Sequence, residues 1–114
     1  MKIIQEDNKN VLLMLTEKEN EDDLILKSNS VDAAFEKHVP QYTRNGNEVE
    51  VFVNHVMEED HYIEWILVET GSEVIIKKLK PGDEPKVVVP FNAGMKAYAY
   101  CNKHSLWVNE VIEW

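Results

Sequence analysis

Alternation of apolar and polar residues is the feature that most restricts the fold of this sequence. In the clearest case, from Glu48 to Val53, every second residue is a valine. A period of two indicates a β-strand with one buried face, and the period of about 3.6 expected of helices is found nowhere over more than a turn or two. By the same criterion, further strands are predicted at residues 63–70, 74–79, 86–89, 95–100 and 106–112.

Turn residues separate these segments at intervals of about ten residues, which is typical of an antiparallel sandwich or barrel. The strongest signal is Asn45-Gly46, which predicts a hairpin between residues 41–43 and the strand at Val49, because both central positions of a type I′ turn favour positive φ. We therefore predict an all-β fold, an Ig-like antiparallel β-sandwich.

The first 30 residues differ from the rest of the chain. Residues 11–16 and 24–27 are predicted to form two short strands, joined by a charged loop over residues 17–23. A hairpin of this size is not stable alone, so it must pack on the main domain or on another copy of the chain. The predicted organisation is an N-terminal β-hairpin appendage (1–30) followed by one sandwich domain (31–114).

Charge and hydropathy exclude several classes of partner. The chain has 114 residues and a formal net charge of −9, so its average field repels nucleic acid and anionic membrane surfaces. No segment approaches the roughly 18 to 20 apolar residues of a membrane-spanning helix, and the N-terminus lacks the apolar run of a signal peptide. We expect a cytoplasmic protein with neither nucleic acid nor membrane as a partner.

The residues able to carry chemistry are concentrated in three short segments near predicted strand ends. They are the single cysteine and all four histidines, namely His38, His55, His61, Cys101 and His104. A lone histidine or cysteine is usually a satisfied polar residue or core filler. Cysteine and histidine three residues apart, with two more histidines six residues apart, instead form a pattern typical of metal-binding loops.

The number of donors bears on the identity of the metal. Four imidazoles and one thiolate are one ligand more than a closed tetrahedral zinc site uses, and they suit iron with an open sixth position. On spacing alone, zinc bound by Cys101 and three of the histidines, with the fourth idle, stays open as a structural alternative. In that case the metal would only stabilise the fold of a β-sandwich that has a binding or structural role.

Four segments resemble, in order and spacing, the signature segments of superoxide reductases of the desulfoferrodoxin/neelaredoxin family. They are Glu-Lys-His-Val-Pro at 36–40, His-Tyr-Ile-Glu-Trp at 61–65, Leu-Lys-Pro-Gly-Asp-Glu-Pro at 79–85, and Ala-Tyr-Cys-Asn-Lys-His-Ser-Leu-Trp at 99–107. The resemblance runs from about Asn29 to Trp107. It departs from the family pattern at Val56, where proline is common, and at Lys103 and Ser105, where leucine and glycine are common.

The resemblance implies one mononuclear iron per chain, held by His38, His55, His61 and His104 in a plane and by the Cys101 thiolate on the axis. It implies reduction of superoxide to hydrogen peroxide, with electrons from a rubredoxin-like donor. Glu36 and Lys37 are the implied catalytic residues. Lys37 would supply a local positive potential and orient water for protonation, and Glu36 would bind the oxidised metal after turnover and leave on reduction.

The resemblance also accounts for the N-terminal segment. Residues 28–34 resemble the joint that follows a small desulforedoxin-like domain with a second, four-cysteine iron, but residues 1–28 contain no cysteine. The segment is therefore interpreted as a degenerate desulforedoxin-like remnant without metal. Because that domain contributes to a dimer interface in two-domain relatives, a homodimer is expected ahead of a tetramer.

Overall fold

The structure, a computed structural model, describes residues 2–5, 11–14 and 38–109. These residues contain the strands β1 (Lys2–Gln5), β2 (Val11–Met14), β3 (Gln41–Asn45), β4 (Glu48–Phe52), β5 (Ile63–Glu69), β6 (Val74–Lys78), β7 (Lys86–Pro90), β8 (Lys96–Cys101) and β9 (Ser105–Asn109). Among them, no helix is long and apolar enough to cross a membrane. The all-β prediction is confirmed.

Two antiparallel sheets form the body of the molecule. One has three strands in the order β3-β4-β7, and the other has four strands in the order β6-β5-β8-β9. The predicted strands are found within one or two residues of their expected bounds, except that the end of the segment 106–112 lies outside the described residues. The antiparallel sandwich is confirmed.

The main core fills the space between the two sheets. Val49 and Val51 of β4 face Ile66 and Val68 of β5, and all four side chains are fully buried. The valine alternation that predicted β4 thus reflects one buried and one solvated face. On β8, the same alternation places three small side chains on the inner face, those of Ala97, Ala99 and Cys101.

The outer face of the four-stranded sheet is also apolar, and the N-terminal hairpin packs on it. β1 pairs with β2 in antiparallel register, and Ile3 of β1 is buried in a second cluster with Leu67, Tyr98, Tyr100, Leu106 and Val108. Strands β5 and β8 are therefore buried on both faces, which explains their nearly continuous apolar sequence. Of the two packing options for the hairpin, the structure shows packing on the main domain.

The N-terminal hairpin contains a strand pairing that was not predicted. Val11–Met14, expected to pair with residues 24–27, pairs in the structure with Lys2–Gln5. That strand gives a weak signal because its two isoleucines are adjacent and do not alternate with polar residues. Residues 24–27 lie outside the described residues.

The β3–β4 hairpin is confirmed, but its turn lies one residue further along than predicted. Asn45 pairs with Glu48, so the central residues are Gly46 and Asn47. Only the first has positive φ, at +64°. This is the pattern of a type II′ turn, which requires glycine at its first central position, and not of the predicted type I′ turn.

Candidate metal centre

The five candidate ligand residues lie at strand ends, on one end of the sandwich. His38 and His61 precede β3 and β5, His55 follows β4, and Cys101 and His104 flank the turn between β8 and β9. Because neighbouring strands are antiparallel, the end of one strand and the start of the next meet at the same edge of a sheet. The topology thus brings together residues separated by up to 66 positions.

One potential ligand atom from each of the five side chains lies within 4.8 Å of all the others. Two of these separations are 3.1 Å from His38 Nε2 to His104 Nδ1 and 3.3 Å from His61 Nε2 to His104 Nδ1. Imidazole nitrogens about 2.1 Å from a common ion stand about 3.0 Å apart at adjacent corners of a square. The observed spacings fit that arrangement.

The four imidazole rings form a closed cycle. Ring centroids are 4.8 Å apart for His38 and His55, 4.6 Å for His55 and His61, 5.0 Å for His61 and His104, and 4.6 Å for His104 and His38. Each ring therefore has two neighbours, which places His55 and His104 at opposite corners. This is the order expected of four ligands around one point.

The cysteine approaches this square from inside the protein. Its Sγ is 3.6 Å from His55 Nε2 and 3.6 Å from His104 Nδ1, two nitrogens at opposite corners. A sulfur equidistant from two opposite corners lies in the plane that bisects the diagonal between them, and that plane contains the axis of the square. Cys101 is fully buried whereas His104 is exposed, so the cluster extends from the core to the surface.

A backbone contact fixes the orientation of His55. Its Nδ1 lies 2.6 Å from the carbonyl oxygen of Val56, and since a carbonyl only accepts, Nδ1 must carry the proton and donate. The lone pair is then on Nε2, the atom that faces Cys101. Such an outer hydrogen bond selects the tautomer that can bind a metal.

The segment between His55 and His61 folds back on itself through a tight turn. Glu58 N–H donates to the carbonyl of His61 at 3.0 Å, and His61 N–H donates to the carbonyl of Glu58 at 3.2 Å. A bulge follows in β5, where Ile63 pairs with Cys101 but Trp65 pairs with Tyr100, which leaves Glu64 as the extra residue. Bulges re-aim neighbouring side chains, and this one turns Ile63 into the core close to His61.

Sequence reasoning missed two residues that contact the ligand loops. The ring of Trp107 stacks on His38, and the side chain of Asn102 bonds to the backbone on both sides of His61. The available signal was proximity in sequence, since Asn102 directly follows Cys101 and Trp107 is three residues after His104. The predicted catalytic residues Glu36 and Lys37 lie outside the described residues.

The tyrosine next to the cysteine is held in its neutral form. Burial raises the pKa of the Tyr100 phenol, and the nearby negative charges of Glu64 and Cys101 raise it further. The phenol, on the outer face of the sheet and so opposite to Cys101, is therefore neutral at neutral pH.

The fold and the site together define a β-sandwich protein with a candidate four-histidine, one-cysteine mononuclear metal centre. The family model for desulfoferrodoxin matches residues 30–110. This chain therefore belongs to the desulfoferrodoxin family.

Curated relatives agree with this membership. The chain is 47% identical over 87 residues to a desulfoferrodoxin homolog of Archaeoglobus fulgidus, covering 73% of this chain and 70% of the relative. It is 41% identical over 87 residues to the desulfoferrodoxin of Clostridium acetobutylicum, covering 74% and 70%. It is 33% identical over 99 residues to the superoxide reductase of Pyrococcus horikoshii, covering 67% and 86%.

Solved structures support the same relationship. The crystal structure of the superoxide reductase from Treponema pallidum has a TM-score of 0.67 and 27% identity, covering 96% of this chain and 99% of that one. The one-iron superoxide reductase from Giardia intestinalis has a TM-score of 0.58 and 29% identity, covering 68% and 99%. At 96% coverage, the first likeness extends into the segment before residue 30.

Proposed function

We propose that this chain is a superoxide reductase that converts superoxide to hydrogen peroxide by one-electron reduction at a single iron. The observation that carries the proposal is the convergence of four imidazole nitrogens and one thiol sulfur within 4.8 Å of one another. The reaction consumes one superoxide, one electron and two protons for each hydrogen peroxide.

The donor set favours iron over a structural zinc. A closed tetrahedral zinc site uses four ligands, whereas iron held by the four imidazoles and the Cys101 thiolate would have five ligands and an open sixth position. Neutral imidazoles keep the charge of the site low, so a small anion can approach. Iron bound there would supply the electron, and the thiolate would donate electron density along the axis.

The two faces of the square have different tasks in this proposal. Cys101 holds the buried face, where it lies within the core between the sheets. Superoxide would approach the opposite face, on the side of the exposed His104. Burial of the sulfur protects it from water and from the peroxide produced.

The roles of Glu36 and Lys37 are part of the proposal and follow from the family resemblance. In a chain of net charge −9, an anionic substrate needs a local positive potential, which Lys37 beside His38 would provide. Glu36 would occupy the open position after turnover. We further propose a rubredoxin-like electron donor, a homodimer, and an N-terminal segment without a metal of its own.

A superoxide pulse tests the proposal. The protein is loaded with Fe²⁺ without oxygen and exposed to a known amount of superoxide, while iron oxidation and hydrogen peroxide are measured together. We expect one peroxide for each iron oxidised. Absence of iron oxidation, or dioxygen in place of peroxide, would refute the assignment, and zinc by elemental analysis with no visible absorption on oxidation would favour the structural alternative.

A further inference from the structure

Asn102 follows the candidate ligand Cys101 and makes three hydrogen bonds to the segment around His61. Its side-chain Oδ1 accepts from Tyr62 N–H at 3.0 Å, and its Nδ2 donates to the carbonyl of Asp60 at 3.0 Å. Its backbone N–H donates to the carbonyl of Tyr62 at 3.2 Å. The two residues bonded to Asn102 are the immediate neighbours of His61 on either side.

These bonds continue a strand pairing beyond its end. The β5–β8 ladder ends at the pair Ile63 and Cys101, and Asn102 is the next residue along β8. Its carboxamide has an acceptor oxygen and an NH₂ donor group side by side, so it can pair as a peptide group does with the two backbone groups that the ladder no longer reaches. The backbone on both sides of His61 is thereby fixed to the residue after Cys101.

The other described contacts around the histidines do not fix the backbone of His61 to the segment of Cys101. The hydrogen bond to Val56 orients His55, and the stack with Trp107 supports His38. Near His61, the Asp60–Lys103 ion pair spans 3.8 Å between two exposed side chains, and a pair of that kind contributes little. Among the described contacts, Asn102 supplies the hydrogen bonds from a side chain to the backbone on each side of His61.

We infer that Asn102 is a positioning residue, which holds His61 in register with Cys101 so that both donate to the same metal ion. The inference rests on the proposed metal centre but not on the reaction proposed for it. Asparagine suits the position because the task needs a short side chain with both an acceptor and a donor. Alanine has neither, and aspartate keeps only the acceptor.

The first measurement is the affinity for Fe²⁺ without oxygen, determined by competition with a chelator. Asn102→Ala should weaken Fe²⁺ binding by roughly ten-fold, the lower end of the effect of outer-shell ligand supports. It should also shift the visible thiolate-to-iron absorption of the oxidised protein, since the sulfur and His61 would no longer be held together. Asn92→Ala, in the exposed loop before the opposite end of β8, is the matched control and should leave both unchanged.

A double-mutant cycle separates positioning from a general loss of structure. If Asn102 acts through His61, then Asn102→Ala in a His61→Ala background should weaken Fe²⁺ binding by less than about two-fold. An equal loss in both backgrounds, or no loss in the full ligand set, would overturn the inference. Should Asn102→Ala fail to fold, Asn102→Asp takes its place with the same expected direction.

The outcome is independent of superoxide chemistry. A protein that binds Fe²⁺ tightly, loses affinity through Asn102→Ala, and yet fails to react with superoxide would leave the positioning role intact and refute the proposed function. If Fe²⁺ does not bind, the same cycle is run with Zn²⁺. A wild-type protein that binds neither ion would refute both.

Discussion

Trp107 stacks on His38, with ring centroids 4.8 Å apart and planes inclined by 16°, and its indole Nε1–H donates to the carbonyl of His104 at 3.0 Å. One side chain therefore contacts the imidazole of His38 and the backbone of His104, two residues that are neighbours in the histidine square. The indole limits rotation of the His38 ring and ties the β8–β9 turn to β9. It is an outer support of the site as well as a packed aromatic residue.

Two substitutions of Trp107 should distinguish the effect of losing its N–H donor from the effect of losing its stack on His38. Trp107→Phe keeps a ring over His38 but loses the N–H donor, and should lower the free energy of unfolding by about 1 kcal/mol. Trp107→Leu loses both contacts and should weaken Fe²⁺ binding roughly ten-fold. Urea unfolding and chelator competition measure the two effects. Trp65→Phe is the control, because Trp65 stacks on Tyr100 on the outer face and should change stability alone. Unchanged Fe²⁺ affinity in Trp107→Leu would contradict the support role.

Cys101→Ser should abolish both the visible thiolate-to-iron absorption and the reaction with superoxide. The reason is that a neutral serine hydroxyl does not donate as a thiolate does. Because position 101 is fully buried, the hydroxyl should also cost about 1 to 3 kcal/mol of stability. Cys101→Ala, which removes the donor without burying a hydroxyl, separates the two effects. Retention of the absorption band in either variant would show that the sulfur does not bind the metal.

Lys37→Ala should slow the reaction with superoxide by about ten-fold at low ionic strength while leaving the iron content unchanged, because it removes a field and not a ligand. The rate should also depend less on salt. Pulse radiolysis over a range of salt concentrations measures both. Lys96→Ala, at the end of β8 remote from Cys101, is the control and should react as the wild type does. Equal rates for Lys37→Ala and wild type would remove Lys37 from the mechanism.

The sandwich could be predicted from the sequence because strand alternation and turn residues are signals that depend only on neighbouring residues. The alternation around Val51 reports one buried face, and Gly46 meets a turn requirement within its own hairpin. The register of that turn was wrong by one residue because Asn45-Gly46 and Gly46-Asn47 both satisfy a two-residue hairpin. Pairing across the turn, which depends on the whole strand, decides between them.

In the candidate site, too, the sequence predicted the residues with a local signal and missed those that depend on tertiary contacts. Residue type and spacing selected the five donors, because few other roles need cysteine and histidine at such intervals. The supports of the site depend on tertiary contacts. Apart from its position after Cys101, nothing local distinguishes Asn102 from an ordinary turn residue, and its bonds to Tyr62 and Asp60 span about 40 positions. The pairing of Lys2–Gln5 with β2 was missed because an apolar pair at a chain end has no period to detect.

Ile3 tests whether the N-terminal hairpin is part of the folded domain. It is only 4% exposed in the cluster on the outer face of the four-stranded sheet, so Ile3→Ala should lower the free energy of unfolding by about 2 kcal/mol. Ile76→Ala, at a position 48% exposed, should change it by about 0.5 kcal/mol or less. Urea unfolding measures both. Equal effects would mean that the hairpin contributes no stability to the sandwich.

Ser105 is the one non-glycine residue with positive φ, +71°, in the described part of the chain, and it stands where the family commonly has glycine. The left-handed conformation strains a residue with a Cβ, so Ser105→Gly should raise the free energy of unfolding by about 0.5 to 1 kcal/mol. Ser72→Gly, at an exposed turn position without positive φ, should leave it unchanged or lower it. Urea unfolding of the metal-free protein compares them, and chelator competition checks that the turn still presents His104 to Fe²⁺. If both glycine variants shifted stability alike, Ser105 would carry no backbone strain, and the departure from the family residue would be energetically neutral.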